Sequence, residues 1–589
     1  MLRRRRGPLL LAAAAAAAAG AVAAALPSGE GRGAAPSVLH AVARSSRAVY
    51  TIGFVVVDYK YSLRGLAHGS ADYRDKLSEV CMVALAVCGL HAIVGRRIYF
   101  DTCDHVTYCS WPPNTVSVGK GRTDMRNFGD RRSCLTISFF FPVHLRSAKK
   151  ILKLCEANRG FYVKAGQFVS SIRQVPKEYS STLSCLQDQA TPCNFQDIKI
   201  VIEQKLGKDL HSIFLEFDEH PIAAASIAQV HRGRLNNNQE VAVKVQYPGL
   251  ERRMKIDIMT MSFLSKSLSW IFPDYRFEKL LTEFERTMSM ELDFIQEAKN
   301  SERTASCFRK NNVVKVPCVF WELTSKEVLT MEFCSGYKVD NLNSLRKADI
   351  SPTKVAKALI ELFGEMIFVH GFVHGDPHPG NILVSPQGQG KFSLVLLDHG
   401  IYKELDQKFR LDYCQLWKAL ILLDSQKILE LGEHFGVGKY AKYFPVIFTG
   451  RTIESKSILG TQMSIEEKTR LKQDLNSLGM DDISSFMESL PPDFLTILRT
   501  DGLLRSILGN LGAPRHVRLL TYAKCALYGL EEQPKSQSGS IKRTFLQVKI
   551  NISYLRLRIL IELAGFLMQI NDLRHKIMSR FRRILQNTS

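Results

Sequence analysis

Lys244, Asp376, Asn381 and Asp398 stand at spacings that chemistry on phosphates requires. Val241-Ala242-Val243-Lys244-Val245 sets a lysine inside an apolar run that reads as a strand. Flanked by valines, its ammonium must either reach solvent or be paired in a cleft. In His374-Gly375-Asp376-Pro377-His378-Pro379-Gly380-Asn381 an asparagine follows an aspartate five positions later. At that spacing the aspartate orients or deprotonates a nucleophile and the asparagine holds a metal. Leu396-Leu397-Asp398-His399-Gly400 then ends an apolar run in aspartate and glycine, where phosphoryl-transfer sites keep a second metal ligand, here with histidine in the position usual for phenylalanine. Singly, each has an ordinary explanation: an edge-strand lysine, aspartates as turn or cap residues, His374 with His378 as a metal pair. Together and in this order they point to a Mg-nucleotide site. Lys244 would hold phosphates, Asn381 and Asp398 the metal, and Asp376 would be catalytic.

The elements that must position them change character along the chain. Residues 217–247 read as short strands with turns at 218–219 and 236–238, residues 250–310 as helix, and 313–333 as strand again. Beyond 351 the pattern is largely helical to 530, broken by a strand pair around 381–384 and 394–398. A small strand-containing part followed by a larger helical one predicts an α+β, protein-kinase-like two-lobed fold.

These motifs, with three others, resemble the UbiB/aarF-domain family of atypical kinases. The others are Lys164-Ala165-Gly166-Gln167, the alanine-rich Ala223-Ala224-Ala225-Ser226-Ile227-Ala228-Gln229-Val230-His231, and Glu291-Leu292-Asp293-Phe294 with Glu297 and Asn300. The resemblance spans 143–530. It implies ATP and Mg²⁺ as cofactors, ATP hydrolysis or phosphoryl transfer as the activity, and a role in mitochondrial membrane or quinone/lipid homeostasis. It also implies that the helix of Lys164 and Gln167 folds across the nucleotide cleft. Three apart on one helical face, those two side chains can reach one target. Ala223, Ala224, Ala225 and Ser226 occupy a loop where glycines would let backbone N–H groups close on phosphates, so altered nucleotide handling is expected. Glu291, Asp293 and Glu297 complete the predicted nucleotide-binding set, and one of Glu291 and Glu297, with Glu297 preferred, should pair with Lys244. The rival reading is a nucleotide-responsive pseudokinase scaffold acting on membrane partners; a protein Ser/Thr kinase ranks below it.

Composition fits this picture. The chain has 589 residues, 46% hydrophobic and 23% charged, which suits a globular protein and not a disordered one. A net charge of +22 favours anionic partners, but no nucleic-acid module is present and none is expected as a partner. Thirteen cysteines, an odd number without a C-x-x-C pair, exclude a secreted disulfide framework.

Residues 1–33 combine Arg3–Arg6 with an apolar run at 9–26 and no acid before Glu30. They form a targeting segment or short anchor, mitochondrial on the strength of the resemblance, with the secretory pathway as the alternative. Residues 34–80 read as a helical extension. Residues 81–142 are cysteine-rich and aperiodic, an anomalous insert that reads as disordered or as a retained intron, Phe139-Phe140-Phe141-Pro142 being what a pyrimidine-rich tract encodes. Then come a K-x-G-Q helical extension (143–216), the small lobe (217–335), the large lobe (336–530) and a basic helical segment (531–589). In the last, Leu555, Ile559, Leu563, Phe566, Leu567 and Ile570 recur at helical spacing, a stripe for an anionic membrane lipid surface or for its own domain. A reporter fused to residues 1–80 is expected to reach mitochondria; delivery to the secretory pathway with cleavage near Leu26 would overturn this.

Overall fold

The structure, a computed structural model, describes residues 34–62 and most of 131–530, with breaks within 172–175, 189–191, 272–289, 454–464 and 477–488, and positions 548, 552, 555 and 559 beyond. The apolar run at 9–26, most of the insert and most of the basic terminal segment lie outside the described residues. The described residues fall into two compact units. One takes those up to 296 together with 319–333; the other takes 297–318 and those from 334 onward.

The first unit opens with helices Ala34–Ser62 (α1), Arg131–Asn158 (α2), Phe161–Ser171 (α3) and Lys177–Leu183 (α4). α2 packs on the other three. It begins at Arg131, not at 143 where regular apolar spacing resumes, so the end of the supposed insert is helical. Extending an established helix costs far less than nucleating one, which carries α2 through a stretch without periodicity and past Pro142. Phe195–Leu206 (α5) starts on Asn194, whose side chain accepts from the Gln196 N–H, and stops at Gly207 with φ +68°; cap and stop are those the local sequence calls for.

The sheet follows: Phe214–Phe217 (β1), Ala223–Ala224 (β2), Ala228–Leu235 (β3) and Glu240–Gln246 (β4). After Leu250–Ile271 (α6), Phe294–Cys307 (α7) and Val314–Lys315 (β5), strand Val328–Glu332 (β6) completes it in the order β1-β3-β4-β6, with β2 on β3. Alternation along β4 buries Val241, Val243 and Val245 against Ile198, Val201 and Ile202 of α5, which turns Lys244 to the opposite face. Away from the sheet, Arg44 of α1 and Asp257 of α6 form a buried ion pair, and Arg44 also donates to the Asn158 carbonyl. Burial pushes the Asp257 carboxyl up to about 6 against the opposing pull of Arg44.

In the second unit β5 belongs to a sheet ordered β5-β10-β9-β7, built with Tyr337–Lys338 (β7), Ile382–Pro386 (β9) and Phe392–Leu396 (β10). A separate two-stranded ladder joins Phe372–His374 (β8) to Tyr402–Glu404 (β11). Helix Pro352–Gly364 (α8) runs into a π-helical stretch, Glu365–His370, that ends at Gly371 with φ +62°. Such a stretch leaves carbonyls without their i→i+4 partner. Here Arg410 and Cys414, from Gln407–Leu422 (α9), donate to the Phe368 carbonyl. Pro492–Asn510 (α10) and Arg515–Leu530 (α11) close a core centred on Phe368, Tyr413, Trp417, Phe494 and Tyr522.

α11 can approach the π turn only because Gly529 lacks a side chain: a Cβ there would stand 2.1 Å from the Phe368 carbonyl oxygen. Gly529→Ala is therefore expected to lower stability by about 1–3 kcal/mol. Gly509→Ala, whose Cβ would meet nothing within 4 Å, should be neutral or stabilising by up to about 1 kcal/mol. Chemical denaturation of both variants checks the pair; similar losses would show that the close approach is not the cause.

Candidate functional site

In the first unit, Lys244 is half-buried with Nζ 5.1 Å from the Phe294 ring centroid, a cation–π distance. Two residues on, Gln246 donates to the Leu292 and Lys326 carbonyls at 2.8 and 3.2 Å, fastening the Glu291-Leu292-Asp293-Phe294 segment to the end of β4. Asp293 lies at the N-terminus of α7, where its Oδ1 accepts from the Ile295 and Gln296 N–H groups. There it serves as a helix cap.

The K-x-G-Q helix places its two polar side chains on different partners. Lys164 pairs with Glu291 at 2.9 Å, while Gln167 donates to the Leu186 carbonyl at 2.8 Å. They do not converge on one target as equal helical phase suggested, because Leu186 comes in beside the helix. Gly166 permits that approach: its Cβ would lie 2.5 Å from Leu186 Cδ1 and 3.1 Å from Cys155 Sγ. The alanine-rich segment is also divided. Ala223 and Ala224 are strand residues paired with Val230 and Gln229, Ala225 is an exposed turn residue and Ser226 is buried. Behind it, Gln229 accepts from the Cys193 N–H at 2.7 Å and contacts His231 at 2.8 Å. His231 donates from Nδ1 to the Asp218 carbonyl, and burial lowers its pKa.

In the second unit, His374 organises the catalytic candidates. Its Nδ1 accepts from the Asp376 N–H at 3.0 Å, and its Nε2–H donates to the Asp398 carbonyl at 2.8 Å. Both ring nitrogens are committed to backbone, so the alternative of a metal pair with His378 falls away; no cluster of three or more His, Cys, Asp or Glu suited to a metal occurs among the described residues. The strands enforce the arrangement. β8 and β11 pair His374 with Tyr402, and the Gly375 N–H donates to the Ile401 carbonyl at 2.9 Å. In the β9–β10 hairpin Leu396 faces Ile382, and the Leu397 N–H donates to the Asn381 carbonyl.

Asn381 donates from its side-chain amide to the Asp376 carbonyl at 3.1 Å, which leaves its Oδ1 as the atom for a cation. Asp398 Oδ1 accepts from the Gly400 N–H at 3.0 Å. Arg499 of α10 lies 3.6 Å from Asp376 Oδ1.

The histidine that replaces phenylalanine is fixed on every side. His399 donates from Nε2–H to the Leu396 carbonyl and accepts at Nδ1 from the Tyr402 hydroxyl, 3.2 and 3.0 Å. Its own N–H donates to Glu297 Oε1 at 3.3 Å, and Asn300 donates to its carbonyl at 3.0 Å. Of the two glutamates in this set, Glu291 pairs with Lys164 and Glu297 accepts from the His399 backbone. The roles of His374 and Arg499 escaped the sequence reading. His374 was quoted within its motif, but burial alone distinguishes a ligand from a brace, and Arg499 lies far along the chain in no motif.

The fold and this frame of side chains define a kinase-like protein of atypical kind. A family model described as ABC1 atypical kinase-like domain matches residues 185–432. AarF domain-containing protein kinase 1 of Mus musculus is 37% identical over 430 residues, covering 71% of this chain and 82% of its own; that of Xenopus tropicalis is 38% identical, covering 68% and 77%. A probable serine/threonine-protein kinase of Dictyostelium discoideum, abkD, is 40% identical over 403 residues, 68% of this chain and 58% of its own. The chain belongs to the ABC1/AarF family of atypical kinase-like proteins. Among solved structures, Mycobacterium tuberculosis Rv3197 in complex with erythromycin aligns with a TM-score of 0.43 and 21% identity over 67% of this chain and 99% of that one.

Burial holds the His374 pKa below its ordinary value, so the folded protein carries this ring neutral. As pH falls below about 6.5 the unfolded chain takes up a proton that the folded state refuses, costing up to about 1.4 kcal/mol per pH unit for each such group. Buried His231 and half-buried His370, each lowered by desolvation, act in the same direction. Wild type should therefore lose more stability between pH 7 and pH 5 than His374→Gln, which retains a donor for the Asp398 carbonyl. Equal pH slopes in chemical denaturation would contradict the neutral bridge.

Proposed function

We propose that this chain is an atypical kinase that binds Mg-ATP and either hydrolyses it or transfers its γ-phosphoryl group to a small or lipid-like acceptor. The observation that carries this reading is the His374 bridge, which sets the backbones of Asp376 and Asp398 on the two sides of one buried ring. The donor set suits a hard cation: Asn381 Oδ1 and the Asp398 carboxylate are oxygen ligands of the kind Mg²⁺ takes alongside nucleotide phosphates. Bound Mg²⁺ would supply charge neutralisation on those phosphates. Asp376 takes the proton of the attacking hydroxyl or water, Arg499 offsets its charge, and Lys244 holds phosphate oxygens.

We place the protein at a mitochondrial membrane. The acid-poor, Arg-rich start and the excess of basic residues support this, as does the terminal stripe, whose described members Leu555 and Ile559 are each about half exposed. That exposure favours an external apolar surface over packing on the parent domain. No helix among the described residues is long and apolar enough to cross a membrane, so the association proposed is peripheral or through residues outside them. A scaffold reading, in which nucleotide changes conformation without useful turnover, draws on the Lys164–Glu291 pair, which ties up an acidic residue of the predicted nucleotide set.

The two aspartates should separate binding from chemistry. Asp398→Asn is expected to abolish Mg-dependent nucleotide stabilisation in a thermal-shift assay while the protein stays folded. Asp376→Asn should still bind, with ATP turnover lowered about 10²–10⁴-fold. Wild-type turnover that stays at background with and without anionic liposomes, despite Mg-dependent binding, would favour the scaffold.

A further inference from the structure

The alanine-rich turn is held by a residue that belongs to none of the motifs. β2 and β3 pair as Ala223 with Val230 and Ala224 with Gln229. The turn between them is closed by the Ala225 N–H donating to the Ala228 carbonyl at 2.8 Å. Tyr247, the residue after β4, grips this turn twice. Its hydroxyl donates to the Ala225 carbonyl at 2.9 Å, and its N–H donates to the Ile227 carbonyl at 3.1 Å. Burial pushes the phenol up to about 12, so it remains a donor throughout the physiological range.

Both backbone polar groups of Ala225 are consumed, whereas the N–H groups of Ser226 and Ile227 have no acceptor among the described residues. Successive backbone N–H groups in a turn make an anion-binding concavity. Glycine-rich turns close on phosphate through conformational freedom, which alanine lacks. A turn without that freedom can still present its donors if it is fixed beforehand in the receptive shape, and fixing it beforehand removes the ordering cost from binding.

We propose that Tyr247 is the positioning residue that presets this turn for the phosphates of a Mg-nucleotide, with the Ser226 and Ile227 N–H groups as the donors. The inference rests on the nucleotide-binding reading above and adds to it the residue that replaces glycine flexibility.

Full-length Tyr247→Phe tests it in two arms. Without nucleotide, amide exchange across residues 225–228 should quicken about fivefold, the loss expected for one hydrogen bond, with the melting temperature within about 3 °C of wild type. With nucleotide, affinities for MgATP and MgADP should each fall about fivefold, while adenosine, which has no phosphates, is bound as before. Unchanged exchange would overturn the claim that Tyr247 holds the turn. Unchanged or tighter MgATP and MgADP binding, or an equal loss for adenosine, would overturn the phosphate role. Wild type that binds no nucleotide at all would overturn the underlying reading and the phosphate role with it, and the exchange arm would still decide whether Tyr247 holds the turn.

Discussion

One neutral imidazole sets the geometry of the second unit. His374 can serve the Asp376 N–H and the Asp398 carbonyl together only as the tautomer with its proton on Nε2, and burial keeps the ring from taking a second proton. A proton on Nδ1 would face another N–H and cost a hydrogen bond as well as a buried charge. The β8–β11 ladder, the β9–β10 hairpin and the contacts of α10 all serve to bring two chain segments to opposite sides of that ring.

The motifs that resemble the family's signatures divide their work between chemistry and support. Asp376, Asn381 and Asp398 present oxygen atoms. Asp293 caps a helix, Gln167 binds a backbone carbonyl, Gly166 admits Leu186, and Glu297 and Asn300 hold the backbone of His399. A motif longer than the reacting groups it contains is thus explained by the need to fix loops whose own propensity does not fix them.

The α+β order, the valine-faced strand of Lys244 and the strand pair around 381–384 and 394–398 were legible because each rests on local pattern: period 2 in β4 and an apolar run ending in Asp-His-Gly. What could not be read depends on partners remote in sequence. Equal phase on a helix suggested a common target for Lys164 and Gln167, but the neighbours, Glu291 and Leu186, decide where each goes. The start of α2 at Arg131 was hidden because helix propagation does not need the apolar periodicity that reveals helices. The close approach of Gly529 to the π turn left no local trace either, since a glycine near a helix end reads first as a stop.

The Asp-His-Gly turn has a further consequence for control of the protein. A phenylalanine in that position is held by packing alone and can exchange one apolar pocket for another. His399 is held through both ring nitrogens, its N–H and its carbonyl. Swinging the turn outward would break those bonds together, each worth about 0.5–1.5 kcal/mol. Small molecules that inhibit by trapping an inverted turn would meet that full cost here, so selective ligands for this chain have to recognise the turn as it stands.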